Sequence, residues 1–281
     1  MLCFYSFKLN VVRKHSNIPL WEDFMQNDEG IIQGYLKITP ERKKSKLPAR
    51  LDFWQSATGL FLALFMIAHM FFVSSILLGQ EIMYKVTKFF EGSVFLEKEQ
   101  PFLVSIVAII VIVAFVVHAF LALRKFPINF QQFSIFKIHK TLMKHGDTSL
   151  WWIQACSGFA LFFLASVHLF VMLTAPDTIG PNASAYRFVH QHFWILYIFL
   201  LFAVELHASI GLYRLCVKWG WFENLGLNTL RNIKKGMSIF FIALGLLTFG
   251  AYVKIGLSQD ISPNTSIEDM KTLDHTLYGK K

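Results

Sequence analysis

The sequence has few cysteines and none of the cysteine patterns that hold a redox cofactor. Its three cysteines are Cys3, Cys156 and Cys216, and the last two lie inside apolar segments, so a disulfide framework is excluded. No CxxCH sequence is present, which excludes covalent attachment of a c-type haem. A cysteine cluster for an iron–sulfur centre and a glycine-rich dinucleotide fingerprint are also absent. Any such cofactor must be held by another protein.

The first 24 residues lack the features of a signal peptide. Lys8 and Asn10 interrupt their only apolar run, and no small-residue cleavage site follows it. We therefore expect no cleaved signal. Met25, which precedes a polar stretch, is the expected natural start, and residues 1–36 are expected to form an N-terminal segment outside the main domain.

Charged residues are scarce, and apolar residues dominate. Only 16% of the 281 residues are charged, 54% are hydrophobic and 30 are phenylalanine, with a mean hydropathy of +0.47. This composition is typical of a polytopic membrane protein. Five segments have the roughly 20 residues that cross a bilayer. They lie approximately at Phe53–Leu78, Pro101–Leu123, Leu150–Leu173, Phe193–Cys216 and Met237–Leu257. The predicted fold is all-α, a five-transmembrane-helix bundle over residues 37–257, followed by a polar C-terminal tail at 258–281.

The net charge of +9 is a topology pattern and does not indicate a nucleic-acid partner. The basic residues concentrate before the first segment and between the second and third and the fourth and fifth. They include Lys37, Arg42, Lys43, Lys44, Lys46, Arg50, Arg124, Lys125, Lys137, Lys140, Lys144, Arg214, Lys218, Arg231, Lys234 and Lys235. The positive-inside rule places these stretches in the cytoplasm. The N-terminus is then inside, the C-terminus outside, and lipid surrounds the bundle.

Four histidines lie deep inside the apolar segments, where an ionisable side chain is costly and indicates function. They are His69, His118, His168 and His207. At 1.5 Å per residue, His118 and His207 lie roughly 9–10 Å from the cytoplasmic ends of their helices, and His69 and His168 lie roughly 27 Å in. The histidines therefore form two tiers, each with one imidazole from each of two helices.

Two imidazoles at one depth are the arrangement that holds a haem iron from both axial sides. The predicted pairs are His118 with His207 near the cytoplasm and His69 with His168 near the outside. A helical rise of 1.5 Å per residue separates their irons by roughly 15–18 Å. The bundle is thus predicted to enclose two b-type haems. A single membrane histidine can instead hydrogen-bond a neighbouring helix or line a polar path, whereas a zinc or iron site gathers its ligands at one depth.

Small and polar residues accompany the histidines. Glycines within bulky spans allow either a flat macrocycle or another helix to approach the backbone; they are Gly59, Gly158, Gly211 and Gly245. Residues at the cytoplasmic edge are candidates to bind haem propionates, with ordinary interfacial packing as the alternative; they are Gln55, Ser56, Trp151 and Lys218.

Two acidic residues suggest proton chemistry. Glu205 lies within the fourth span, two residues before His207, where a carboxylate must be neutral, paired or part of a proton route. Glu91 lies in the outer loop, in an aromatic and basic setting close to the outer tier. It is either a solvated loop acid or a base that takes a proton from a quinol.

Several runs of residues resemble the dihaem cytochrome b subunit of bacterial quinol:fumarate reductase, within the succinate:quinone oxidoreductase family. The runs are ERKKS (41–45), LDFWQSATG (51–59), HAFLALRKFPIN (118–129), HGDT (145–148), ELH (205–207) and GLYR (211–214). The resemblance covers roughly residues 31–257. The N-terminal extension and the polar tail lie outside it.

The resemblance implies a subunit of an anaerobic respiratory enzyme in the inner membrane. It anchors a flavoprotein and an iron–sulfur protein on the cytoplasmic side, and the complex is expected as a dimer of heterotrimers. Menaquinol is oxidised near the outer haem, and electrons pass through both haem b groups to the partner subunits, where fumarate becomes succinate, a reaction of the tricarboxylic acid cycle. The four axial histidines of the family correspond to His69, His118, His168 and His207. Its quinol-site glutamate corresponds to Glu91, and its glutamate for compensating proton transfer to Glu205.

Other functions remain open at this point. The complex could run mainly as a succinate dehydrogenase, or the chain could be the cytochrome b anchor of a hydrogenase or formate dehydrogenase. From a different class, a transporter could line its path with the histidines. A transporter predicts no stoichiometric haem, and the lack of an inverted repeat or of paired broken helices disfavours it.

Overall fold

The five apolar segments form five long helices in a computed structural model, which describes residues 45–143 and 146–279. The long helices are α1 (Leu47–Ser74), α3 (Phe102–Leu123), α5 (Gly146–Thr174), α7 (Phe193–Trp219) and α8 (Gly226–Leu257). Each is apolar and long enough to cross a membrane. The prediction of an all-helical bundle with five crossings is confirmed. The predicted start at Met25 and the segment 1–36 lie outside the described residues.

In the described part of the chain, four shorter α-helices lie outside the spans, where the sequence predicted only loops and a tail. They are α2 (Gln80–Phe90), α4 (Phe130–Met143), α6 (Pro181–Val189) and α9 (Ile267–Tyr278). Helix α9 lies within the polar tail and begins with a capping box. The Ser266 hydroxyl accepts from the backbone N–H of Asp269, whose carboxylate accepts from the backbone N–H of Ser266. The tail therefore contains a defined helix.

One end of the bundle is held together by ion pairs between helix termini. Asp52 near the start of α1 lies 2.7 Å from Arg124 after α3 and 3.5 Å from Lys218 near the end of α7. Asp147 at the start of α5 lies 2.8 Å from Arg231 in α8. We call this end, where these five residues lie, the basic end.

The opposite end carries most of the tightly packed apolar core. Its central residues come from the turn after α1 and from α2, α6 and α8; they are Ile76, Met83, Ala185, Phe188 and Tyr252. Helix α9 packs against α6 and α2. We call this end, formed by α2, α6 and α9, the cap end. Most large side chains along the spans point away from the core, as expected where helices face lipid.

Among the described helices, close backbone packing joins α5 to both α3 and α7, and α8 to both α7 and α6. Helix α1 contacts these helices mainly through side chains. The sides of α1, α3, α5 and α7 that face one another enclose the space in which the four span histidines lie.

Candidate functional site

An elongated cavity of about 870 Å³ runs between α1, α3, α5 and α7. Ser56 and Lys218 line it at the basic end, and Arg187 and Phe188 line it at the cap end. The walls between them are almost entirely apolar. All four span histidines contribute to these walls, beside other polar side chains that include Gln154, Tyr197 and Arg214; the histidines are His69, His118, His168 and His207.

The four histidines face one another in two pairs. The ring centres of His69 and His168 are 6.0 Å apart, and those of His118 and His207 are 6.3 Å apart. A metal held between two opposed imidazoles, with bonds of about 2.0 Å and about 1.1 Å from each nitrogen to its ring centre, requires about 6.2 Å. Both pairs therefore have the spacing for one axially ligated metal.

The described residues contain no group of three or more His, Cys, Asp and Glu side chains that could hold a metal ion. Each pair thus supplies two protein ligands and leaves the remaining positions to another molecule. A macrocycle that binds its metal in a plane needs this donor set and an apolar cleft around it. The residues that line the cavity fit a haem at each tier.

Hydrogen bonds fix the orientation of three of the four imidazoles. His118 Nδ1 lies 3.2 Å from the backbone oxygen of Gln55, and His207 Nδ1 lies 2.9 Å from that of Gln154. His168 Nδ1 lies 3.3 Å from the hydroxyl of Tyr197. An Nδ1–H that donates to a fixed oxygen leaves Nε2 as the metal-binding nitrogen. The fourth ring, His69, stacks on Phe65.

Two glycines make room for the rings of His118 and His207. A Cβ on Gly59 would lie 2.8 Å from Cε1 of His118, and a Cβ on Gly158 would lie 2.6 Å from Cε1 of His207. Any larger residue would displace the imidazole. Gly211 instead contacts the side chain of Gln154, and Gly245 contacts that of Leu201. These two glycines therefore serve the close packing of helices.

The two halves of the bundle repeat the same pattern, which the sequence analysis missed. Helix α1 has Gln55, Thr58, Gly59 and His69, and α5 has the same spacing; its residues are Gln154, Ser157, Gly158 and His168. In each half the glutamine carbonyl accepts from the histidine of the following long helix, and the glycine contacts that ring. The rings of each pair therefore come from equivalent positions, and a search for parallel repeats would have found Gln154 as a positioning residue.

The predicted residues at the basic end separate into two groups. Gln55, Ser56 and Lys218 line the cavity, and the Lys218 ammonium donates to the Ser56 hydroxyl at 3.0 Å. The side-chain oxygen of Gln55 is buried and has no hydrogen-bond partner. Trp151 does not line this cavity; its ring stacks on Phe136 of α4 at 5.4 Å, which is the interfacial packing that the sequence left open.

Arg187 is a cavity residue that the sequence analysis did not select. It is only 4% exposed, lies at the cap end of the cavity near His168 and Tyr197, and donates to Thr178. A buried cation is costly unless a negative charge compensates it. In the sequence it was indistinguishable from a loop arginine.

Glu91 is not solvated, although it follows the last residue of α2. It is 0% exposed, and its Oε2 accepts from Lys88 at 2.8 Å while Oε1 is buried without a partner. Burial raises the pKa of this carboxyl, and the bond from Lys88 opposes the rise. Thr87 and Phe90 line the cavity, so Glu91 lies directly behind the wall at the end that holds His69 and His168.

Glu205 is buried in α7 but faces away from the main cavity, toward α1 and α8. It lines a separate small cavity of about 30 Å³ together with Ser209 and Met237. The Oε1 atom of Glu205 has no hydrogen-bond partner, and the hydroxyl of Ser209 lies beside the carboxylate. A cavity of this size exceeds the roughly 10–15 Å³ that one water requires, and these two groups provide polar partners for it.

Comparison with known proteins identifies close relatives. Residues 134–250 match the family described as Succinate dehydrogenase/Fumarate reductase transmembrane subunit. The chain is 67% identical over 235 residues to the Fumarate reductase cytochrome b subunit of Helicobacter pylori strain J99, covering 84% of this chain and 92% of that protein. It is 58% identical over 252 residues to the Fumarate reductase cytochrome b subunit of Wolinella succinogenes, covering 88% of this chain and 97% of that protein.

Proposed function

We infer the function of this chain from its family, because it belongs to the succinate dehydrogenase/fumarate reductase transmembrane subunits. It is a fumarate reductase cytochrome b subunit, which anchors quinol:fumarate reduction at the membrane. We propose that it oxidises menaquinol itself. Two b-type haems, if held by the histidine pairs, would supply electron transfer from the cap end to the basic end. A flavoprotein and an iron–sulfur subunit receive the electrons and reduce fumarate to succinate.

The two facing histidine pairs carry this proposal. His69 and His168 would hold one haem iron, and His118 and His207 the other, because the ring spacings of 6.0 and 6.3 Å suit one metal each. When bound, the haems supply single-electron transfer. The protein fixes the tautomers through Nδ1, provides the glycine clefts and excludes water with apolar walls.

Charge supports an orientation with the basic end in the cytoplasm and the N-terminus inside. The helix termini and loops at this end contain many lysines and arginines, whereas acidic and basic residues mix around the cap end. The positive-inside rule then puts the cap end and α9 on the outer side of the inner membrane. The iron–sulfur partner is expected to dock at the basic end, since the sequence has no cysteine cluster of its own.

Polar groups at both ends of the cavity are suited to the haem carboxylates. Lys218, Ser56 and Gln55 would bind those of the inner haem, since an ammonium, a hydroxyl and an amide converge there. Arg187 would supply a guanidinium to those of the outer haem, which compensates the cost of its own burial.

Glu91 is the proposed acceptor of the quinol proton. Its unpaired Oε1 is an available acceptor, and Thr87 and Phe90 put it next to the cavity wall at the cap end. Transfer of the quinol O–H proton to this oxygen, as the electron leaves toward the outer tier, is general base catalysis.

Glu205 is the proposed carrier of the compensating proton across the membrane. Electrons that move inward carry negative charge, and a proton that moves in the same direction cancels it. The buried carboxylate and Ser209, next to a cavity that can hold one water, provide a transfer site between α1 and α8.

The experiment is a dithionite-reduced-minus-oxidised spectrum with haem counted per polypeptide. We expect two b-type haems in the wild type, with His69→Ala removing one and His118→Ala removing the other. The exposed His139 on α4 gives the matched control, and His139→Ala should retain both haems. Absence of haem from the wild-type chain would refute the electron-transfer function and favour the transporter.

A further inference from the structure

We propose that Lys88 and Glu99 complete the proton-release site at Glu91: Lys88 keeps the Glu91 carboxylate ionised, and Glu99 delivers its proton to the outer aqueous phase. This inference rests on the proposed function of Glu91. It assigns two further residues to quinol oxidation.

The three side chains form a chain from the interior to the surface. The Lys88 ammonium lies 2.8 Å from Oε2 of Glu91 and 3.0 Å from Oε2 of Glu99. The exposed fraction of the side chain rises from 1% at Glu91 to 11% at Lys88 and 36% at Glu99. Lys88 therefore connects a carboxylate with no access to water to one that reaches water.

The backbone around Glu91 builds this arrangement. Lys88 and Glu91 lie three residues apart at the end of α2, so their side chains meet on one face of the helix. Gly92 then turns the chain with a φ of +87°, a conformation that favours glycine. The backbone N–H of Gln100 donates to the carbonyl of Glu91 at 2.8 Å, which closes the loop and returns Glu99 to Lys88.

Opposing charges set the protonation states at this site. Burial raises the pKa of Glu91, and the hydrogen bond from Lys88 opposes that rise. Burial would lower the pKa of Lys88, but the bonds to Glu91 and Glu99 raise it, so Lys88 is cationic at neutral pH. Without this ammonium the pKa of Glu91 would rise further, and the carboxylate would act as a base only at higher pH.

Groups from the other elements of the cap end also face this site. Tyr84 of α2 lies under the Lys88 ammonium, which is 5.2 Å from the ring centre. The Tyr84 hydroxyl is 3.0 Å from Nδ1 of His275 on α9, and Asp274 lies beside it. His275 favours the ionised form of Glu91, as Lys88 does, but only Lys88 contacts the carboxylate directly.

The proposed transfer balances without any further reactant. For each electron that the quinol gives to the acceptor supplied by the proposed electron-transfer function, one quinol O–H bond breaks and Oε1 of Glu91 gains the proton. Lys88 then gives a proton to Glu99 and takes the one on Glu91, so that the ammonium is unchanged. Glu99 loses its proton to water outside, and the ionised Glu91 is ready for the next proton.

The test uses the membrane-bound complex with variants at Lys88, Glu99 and a matched control. Lys85 forms an exposed pair with Glu81 at 2.8 Å on the same helix, so Lys85→Gln removes the same charge one turn away. Quinol-driven fumarate reduction is measured against pH, alongside reduction from artificial low-potential donors and haem per polypeptide.

We expect Lys88→Met to move the acidic limb of the kcat/KM profile upward by at least about one pH unit, which is about tenfold in rate on that limb. Lys88→Arg should leave the acidic limb in place because it keeps the cation, but it should lower kcat, since a guanidinium does not give up its proton to Glu99. Glu99→Gln should lower kcat about tenfold with KM for quinol unchanged, since it blocks delivery and spares binding. Lys85→Gln should match the wild type, and all variants should retain donor-driven reduction.

A wild-type pH profile in Lys88→Met, or an equal shift in Lys85→Gln, would overturn the proposal. If Lys88→Met fails to assemble with haem, Glu99→Gln tests the proposal instead. An unchanged kcat in Glu99→Gln would overturn it. Glu91→Gln separates the two levels of inference. If Glu91→Gln still oxidises quinol, the proposed function of Glu91 is refuted. If Glu91→Gln loses quinol oxidation while Lys88→Met keeps the wild-type pH profile, only the roles of Lys88 and Glu99 are refuted.

Discussion

Replacing Gly158 with alanine should remove the inner haem while leaving the helices intact. The added Cβ would lie 2.6 Å from Cε1 and 2.8 Å from Nδ1 of His207, whereas ordinary contacts begin at 3.4 Å. The ring must therefore retreat by 3.4 minus 2.6, or 0.8 Å. This movement weakens the 2.9 Å contact between Nδ1 and the Gln154 carbonyl and misaligns Nε2 toward the opposite ring.

The size of the effect follows from the loss of a partner that orients a metal ligand. Such changes typically lower metal affinity by about 10–100-fold, which is about 1.4–2.7 kcal/mol. Within a helix, alanine is otherwise more stabilising than glycine by about 0.8–1.0 kcal/mol of helix propensity. Loss of haem without loss of helix is thus the expected result.

The assay compares haem per polypeptide and the reduced-minus-oxidised spectrum in two alanine variants. A Cβ added at Gly250 in α8 would meet open space, with no atom within 4 Å, so Gly250→Ala is the matched control and should keep both haems. Gly158→Ala should keep only the outer one. Two intact haems in Gly158→Ala would refute the tight fit between this glycine and a ligand, and equal losses in both variants would show a general effect on packing.

Two further variants test other parts of the molecule. Glu205→Gln should retain both haems and lose quinol-driven fumarate reduction, because the amide cannot carry a proton; unchanged turnover would refute the proton role. Asp274→Ala should destabilise the docking of α9 by about 2–3 kcal/mol, since the buried carboxylate accepts from two backbone N–H groups at the start of α6. Faster proteolysis at residues 258–266 would report the release of α9, whereas equal rates in Asp274→Ala and in a control at the exposed Asp260 would exclude it.

The membrane spans could be predicted from the sequence because the bilayer imposes both length and apolarity on a crossing helix. The depth count also predicted which histidines share a tier, since the rise per residue is nearly constant along a straight helix. His69 and His168, from distant parts of the sequence, do lie with their ring centres 6.0 Å apart.

The cap end could not be predicted in this way, because contacts between distant residues determine it. Glu91 is buried by a loop that folds back through the bond from Gln100, whereas local sequence alone left open whether it is a solvated loop acid or a base at a quinol site. Helix α9 lies on the bundle because Asp274 accepts hydrogen bonds from Asn182, 92 residues earlier. A polar composition gives no indication of either contact.

The two imidazoles of each facing pair come from equivalent positions in the two halves of the bundle. This origin constrains the order in which the protein can assemble in the membrane. The first half, α1 and α3, holds one imidazole of each facing pair, and the second half, α5 and α7, holds the other. Neither half can coordinate an iron from both sides alone. During synthesis, a haem between His69 and His168 would therefore have to wait for α5, and one between His118 and His207 would have to wait for α7. Cofactor capture would then be a checkpoint on the joining of the halves.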